Sequence, residues 1–204
     1  MTPDCYNTMI SAILLGAGES KRMGKNKLLL PLGKKTIIER CLENLLRSDV
    51  EEVVVVINKK MKEIVDRFKE GNVKVVLNPY YRSGMSSSIR YGLRFINPKN
   101  DGILIALGDQ PFLKSKTINA LIRKFAQGKK GIVLPIYKGK KGHPVIFHKR
   151  YRNDLLKLRG DVGGKSIIEK YPEDIELYPV RSKSIIKDID TWKDYLSLKE
   201  VKRF

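Results

Sequence analysis

Short apolar runs alternate along the chain with stretches whose apolar residues recur every three or four positions. The runs are residues 10–15, 53–57, 73–77, 103–107 and 131–136, of which 53–57 is continuously apolar and bounded by charge. Continuous runs of this length suit strands buried on both faces, as in a parallel sheet. Between them, Ile37, Ile38, Cys41, Leu42, Leu45 and Leu46 form one stripe across residues 36–48. Met61, Ile64, Val65 and Phe68 form a second, Ile89, Leu93 and Ile96 a third, and Ile118, Leu121, Ile122 and Phe125 a fourth. Such spacing gives amphipathic helices, each with one face for the sheet.

Local signals sharpen the boundaries. Thr36 and Glu39 stand three apart, as in a capping box, and so start the first helix. Asn78-Pro79 breaks the chain before the third stripe. After Pro135 the pattern loosens into a Lys/Gly loop at 138–142, a short run at 143–147, helical stretches at 154–158 and 164–171, and a strand at 175–180. An antiparallel edge or a substrate lid fits there. Thr191 and Asp194 resemble a second capping box, opening a last helix through Tyr195 and Leu198. Strands alternating with helices predict an α/β fold: a three-layer α/β/α sandwich, Rossmann-like, with a mostly parallel sheet and a small antiparallel insertion. Residues 1–204 read as one domain, because no linker, repeat or low-complexity tract divides them. Ligands of such sheets bind outside the carboxyl ends of the strands.

Composition narrows the partners. A net charge of +19 favours anions of any kind, nucleotides and anionic cofactors included. The lysines are spread from Lys21 to Lys202, and the densest group, 138–141, is short, so a solvated surface explains them better than a nucleic-acid face. No apolar run approaches membrane length, and the opening residues 1–9 are polar and short for a signal peptide, which predicts a soluble cytoplasmic protein. Cys5 and Cys41 are the only cysteines and lack metal-ligand spacing.

Residues 14–24 carry the strongest chemical signal. The first run ends in Leu-Leu-Gly-Ala-Gly-Glu-Ser-Lys-Arg-Met-Gly, with Lys27 shortly after. Gly16, Gly18 and Gly24 permit positive φ and close backbone approach, while Lys21, Arg22, Lys25 and Lys27 add charge around free amides. A phosphate group is the expected ligand. The dinucleotide fingerprint fails because its third glycine would fall at Lys21, and the P-loop pattern fails because Asn26 follows Gly24-Lys25.

The order Leu-x-Gly-Ala-Gly-x-Ser-x-Arg-Met-Gly, followed by Lys-Leu-Leu-Leu-Pro-Leu-Gly from Lys27, resembles the start of the MobA-like nucleotidyltransferases. Within that superfamily the spelling is most like the molybdenum cofactor cytidylyltransferases. The resemblance implies a fold of the nucleotide-diphospho-sugar transferase type and a nucleotide contact set of Leu15, Gly16, Ala17, Gly18, Ser20, Arg22 and Lys27. It also divides the chain into a nucleotide-binding part, 9–136, and a part for the acceptor and a second metal ligand, 137–204.

Later residues fit the same comparison. Asp109 follows a buried run in Gly108-Asp109-Gln110-Pro111, where a carboxylate either holds magnesium beside phosphates or caps the next turn. The family spelling implies the metal role. Asp188 and Asp190 precede the last helix, and the resemblance maps the second metal contact to Asp190, with Asp188 as its neighbour. In residues 82–88, the resemblance carries base and ribose contacts to Gly84, Ser86 and Ser87, although one serine would serve as an ordinary N-cap. His143-Pro144-Val145 and residues 160–165 resemble acceptor signatures and nominate His143, Asp161 and Lys165. Lys165 stands where family members often have Arg, which keeps charge and loses bidentate geometry.

The resemblance implies transfer of a nucleotide from CTP to molybdopterin or molybdenum cofactor, with release of pyrophosphate. Mg²⁺ is the implied cofactor, with Mn²⁺ as the alternative. Arg22, Lys27 and Asp109 are the expected catalytic residues, and a molybdoenzyme is an expected recipient of the product. GTP in place of CTP, or a sugar phosphate as acceptor, is the alternative within the class. A basic nucleotide- or nucleic-acid-binding protein without turnover is the alternative outside it.

Overall fold

The computed structural model describes residues 8–68 and 71–200. Cys5 and Lys202, with the side chains of Lys21 and Val65, lie outside the described part.

The strands in chain order are β1 (Ile10–Gly16), β2 (Pro31–Leu32), β3 (Lys35–Thr36), β4 (Glu52–Ile57), β5 (Val73–Leu77), β6 (Gly102–Leu107), β7 (Ile132–Tyr137), β8 (Lys140–Lys141), β9 (Val145–His148) and β10 (Ile175–Pro179). The α-helices are α1 (Ile37–Leu46), α2 (Met85–Leu93), α3 (Ser115–Gln127), α4 (Arg152–Lys157), α5 (Lys165–Lys170) and α6 (Trp192–Glu200). The main sheet runs β10-β7-β9-β6-β1-β4-β5, with β8 paired to β7. Pairs β6/β1, β1/β4, β4/β5 and β10/β7 are parallel, whereas β9 is antiparallel to both β6 and β7.

Alternation within the buried runs divides the core in two. Ile10, Ala12 and Leu14 of β1, with Val53, Val55 and Ile57 of β4, pack with Ile38 and Leu42 of α1 and Ile118 and Leu121 of α3. Ile13, Val54 and Val56 face the other way, against Ile89 and Leu93 of α2, Leu155 of α4 and Ile167 of α5. The three-layer sandwich follows from this period of two, because each strand must cover apolar side chains on both faces.

Two expectations change. Residues 59–68 wind as 3₁₀ rather than α-helix, starting from the Met61 N–H donated to the Asn58 carbonyl, although Met61, Ile64 and Phe68 are buried as their spacing requires. The antiparallel run is not an edge. β9 lies inside the sheet because Val145 and Phe147 fill one core while Ile146 fills the other, so both faces need cover. The short hairpin β2/β3, turning at Gly33 with φ 70°, was hidden in a mixed polar stretch. Both capping boxes form: Glu39 N–H donates to Thr36 Oγ1 at 3.4 Å, and Asp194 N–H to Thr191 Oγ1 at 3.2 Å.

Candidate active site

The carboxyl ends of β1 and β6 open into a cavity of about 860 Å³. Leu15, Ala17, Gly18, Ser20, Arg22 and Lys27 line it from the glycine loop and its continuation, and Asp109, Asp188 and Asp190 line it beside them. Gly84 and Asp161 close one end. The loop, both expected metal ligands and the start of α2 thus meet in one place, as strand-end polar residues of a parallel sheet should.

The glycines work differently from their first reading. Gly24 takes the left-handed conformation at φ 67°, but Gly16 and Gly18 do not, and the non-glycine Ser20 does, at φ 53°. Gly16 is closely packed: a Cβ there would stand 2.5 Å from Ile38 Cδ1 and would make the Ile38 side chain shift. Ser20 uses its turn to bring Oγ to the Lys27 N–H, which it accepts at 3.0 Å. Asn58, at the end of β4, donates Nδ2 to the Ala17 carbonyl at 2.9 Å and so fixes the loop from behind. The signal for Asn58 was present, since a polar residue directly after a buried parallel strand belongs to the site edge.

Lys27 sits at the centre. Its Nζ donates to Asp109 Oδ2 at 2.8 Å and to Asp190 Oδ1 at 2.7 Å, and its side chain is 14% exposed. Burial opposes the ammonium, but the charges and hydrogen bonds of Asp109 and Asp190 outweigh it and raise the Lys27 pKa. Asp109 moves up as well, chiefly through burial; Lys27 opposes the rise, while Asp188 and Asp190 add to it. The directions agree once the cluster is counted as three carboxylates around one buried ammonium, an excess of negative charge. Arg22 reaches Asp190 Oδ2 at 3.4 Å from a side chain 73% exposed, a contact free to move toward a ligand.

The two acidic segments are tied together. Ile189 N–H donates to the Asp109 carbonyl at 3.1 Å, and Gln110 Nε2 donates to Asp188 Oδ1 at 2.6 Å. Gln110 is therefore a strut that motif reading passed over.

Other nominated residues are placed less directly. Gly84, at φ 85°, has no room for a Cβ, which would stand 2.6 Å from the Gly160 carbonyl oxygen. Asp161 Oδ1 accepts the Met85 N–H at 2.9 Å and so caps α2 from a distant loop. Ser86 Oγ donates to the Val162 carbonyl at 2.6 Å, and Ser87 Oγ donates to the Gly84 carbonyl at 2.9 Å; both are buried and neither lines the cavity. Ser88, which does line it, was missed. His143 is outside the lining; its Nδ1 is shielded from solvent without a hydrogen-bond partner, and burial lowers its pKa while Asp188 and Asp109 oppose the shift. Lys165 is 81% exposed, pairs with Glu169 at 3.6 Å and stays outside the cavity.

A divalent cation fits this donor set. Asp109 Oδ1 is shielded from solvent and has no hydrogen-bond partner, and carboxylate oxygen is the ligand type that magnesium and manganese take. Among the described residues no group of three or more His, Cys, Asp or Glu side chains is arranged to hold a metal alone. Two carboxylates completed by phosphate oxygens would be the usual arrangement for magnesium.

Comparison with known proteins agrees with this geometry. Residues 12–175 match the family model described as MobA-like NTP transferase domain, and the chain belongs to that family. It is 26% identical to the molybdenum cofactor cytidylyltransferase of Escherichia coli strain K12, over 94% of this chain and 96% of that one. It is 29% identical to the nicotine blue oxidoreductase of Paenarthrobacter nicotinovorans, over 89% and 92%. Among solved structures, Rv0371c from Mycobacterium tuberculosis H37Rv superposes with a TM-score of 0.82 at 26% identity, covering 95% of this chain and 98% of that one. No helix among the described residues is long and apolar enough to cross a membrane.

Proposed function

We propose that this protein transfers the cytidylyl group of CTP to the phosphate of a molybdopterin-type acceptor and releases pyrophosphate. The observation that carries the reading is Lys27 held between Asp109 and Asp190 in a cavity walled by the glycine loop. A cation and two acids at one strand edge suit a triphosphate, whose charge must be both neutralised and aligned.

The acceptor phosphate needs little activation, since the second pKa of a phosphate monoester is about 6. One of its oxygens attacks the α-phosphorus of CTP, the bond from that phosphorus to the bridging β-oxygen breaks, and pyrophosphate leaves with the electron pair. Gly18, which lines the cavity, borders the triphosphate, Gly16 supports the loop from outside the lining, and Ser20 holds Lys27 in register with it. Lys27 and Arg22 oppose the charge that develops on the leaving group. Asp109 and Asp190 would hold Mg²⁺ or Mn²⁺, which when bound supplies Lewis-acid charge stabilisation. Ser88 and Gly84, which line the cavity, would border the nucleoside, with Asp161 fixing the start of α2 beside them.

The purified protein should release pyrophosphate from CTP, in the presence of molybdopterin and Mg²⁺, faster than from GTP, ATP or UTP. A preference for GTP would make it a guanylyltransferase of the same mechanism. The relative named nicotine blue oxidoreductase supports a second reading, in which the cavity takes a redox substrate. Absence of pyrophosphate from all four triphosphates, together with turnover of an added redox substrate, would move the assignment there.

A further inference from the structure

Behind the two loops that carry Asp109 and Asp190 lies a second cavity of about 360 Å³. Its walls come from α1, from the turn at 111–114 and from residues 182–187. Arg40, Arg47, Lys114, Lys183 and Lys187 line it, and the one acid lining it among the described residues is Glu43. Glu43 is already engaged, with Lys35 at 3.0 Å and Arg47 at 2.6 Å, and its hydrogen bond from Lys35 leads the causes that hold its pKa down. Lys114, Lys183 and Lys187 make no ion pair among the described residues, and Lys187 lies over the Phe112 ring at 4.9 Å.

Cations gathered around a concave wall repel one another and focus a positive field into the space between them. A solvated lysine surface avoids this by pointing its charges outward and apart. Here five cationic residues line one space whose size matches a small-ligand pocket. Arg47 is held by Glu43, and Arg40 Nε donates to the Leu32 carbonyl at 3.1 Å, so the lysines supply the movable donors for an oxyanion. The lining carries five cations against one acid, so a singly charged anion would leave most of the excess in place. A phosphate-bearing molecule with two or more charges suits it better.

We propose that this rear cavity is a second anion site, which binds a small phosphate-bearing molecule separately from the nucleotide cavity. Binding here does not depend on the reaction assigned to the front cavity. The site is nevertheless linked to it: Asn44 donates Nδ2 to the Pro111 carbonyl at 3.3 Å, Cys41 Sγ donates to the Gly108 carbonyl at 3.2 Å, and Lys187 directly precedes Asp188.

The test is calorimetric titration of inorganic pyrophosphate into metal-free protein at low salt, comparing wild type, Lys27→Ala and the double variant Lys183→Glu/Lys187→Glu. Wild type should need two classes of site. The Lys27 variant should lose one, and the double variant should weaken the other by about tenfold or more. Amide shifts on titration should include residues 40–47, 111–114 and 182–187. A double-variant isotherm that superposes on wild type, or shifts confined to the front cavity, overturns the proposal. If charge reversal disturbs the fold by circular dichroism, Lys183→Gln/Lys187→Gln replaces it, with a smaller weakening expected and an unchanged isotherm again decisive. Single-stranded RNA of about 12 nucleotides forms the last arm. Pyrophosphate displaced from the rear site by that RNA at lower concentration would assign the site to a polynucleotide backbone and overturn the small-molecule reading.

Discussion

Lys27 makes two ion pairs that a bound metal and nucleotide would have to rearrange, because its ammonium holds one oxygen of each expected metal ligand. Lys27→Met should slow pyrophosphate release by about 10²–10³-fold with the circular dichroism spectrum intact. The same variant should bind Mn²⁺ more tightly than wild type in the absence of nucleotide, as read by electron paramagnetic resonance, because two carboxylates lose their resident cation. Asp109→Asn tests the other side of the pair. Its pKa is raised above the ordinary carboxylate value of 3.8, so the folded state holds the proton more tightly than the unfolded chain. Stability from this group therefore falls as pH rises through the window above 3.8. In metal-free buffer Asp109→Asn should raise Tm at pH 7 by about 2 °C, and the gain should shrink toward pH 4. A lower Tm at pH 7 would show that the Lys27 pair outweighs burial.

Elements reach the site through their ends. α1 begins at the Thr36–Glu39 box and carries Ile38 under the glycine loop, where a Cβ on Gly16 would strike it. Removing the cap with Thr36→Ala should cost about 1 kcal/mol in urea denaturation, with activity nearly unchanged. Gly84→Ala should behave differently. Its Cβ would meet the Gly160–Asp161 backbone, so the variant should part α2 from its distant cap, raising KM for the nucleotide and lowering Tm together. The strands and most helices were legible because their apolar period is local to each segment. The place of β9 was not, since the partners of a four-residue strand are decided by residues 102–105 and 132–133 far along the chain.

Across the whole molecule, the end of the sheet opposite the site is held by Glu52. It accepts Ser11 Oγ at 2.7 Å and Lys74 Nζ at 2.8 Å, and Asn100 Nδ2 extends the network to Ser11 at 2.9 Å. Burial works against the carboxylate, yet the Asn97 N–H, Lys74 and Ser11 together lower its pKa below 4.5. A lowered value contributes stability that is fully present above 4.5 and is lost as pH falls through the folded value. Glu52→Gln should destabilise the protein by about 1–3 kcal/mol at pH 7 and flatten its acid unfolding limb, as measured by urea midpoints between pH 7 and pH 3. An unchanged midpoint at pH 7 would remove this network from the account of stability.

The sequence by itself determined the layered α/β architecture, both capping boxes and the glycine loop with Lys27 and Asp109, because periodicity, caps and motifs are written within short windows. Only the tertiary structure decided that Lys27 stands between Asp109 and Asp190, which lie 82 and 163 residues further along the chain. It also turned Ser86 and Ser87 inward, put Ser88 on the wall and made Asn58 and Gln110 supports. Side-chain direction at the start of a helix and contact between strand ends depend on how the layers pack. Long-range packing closes those choices, and no local pattern encodes them.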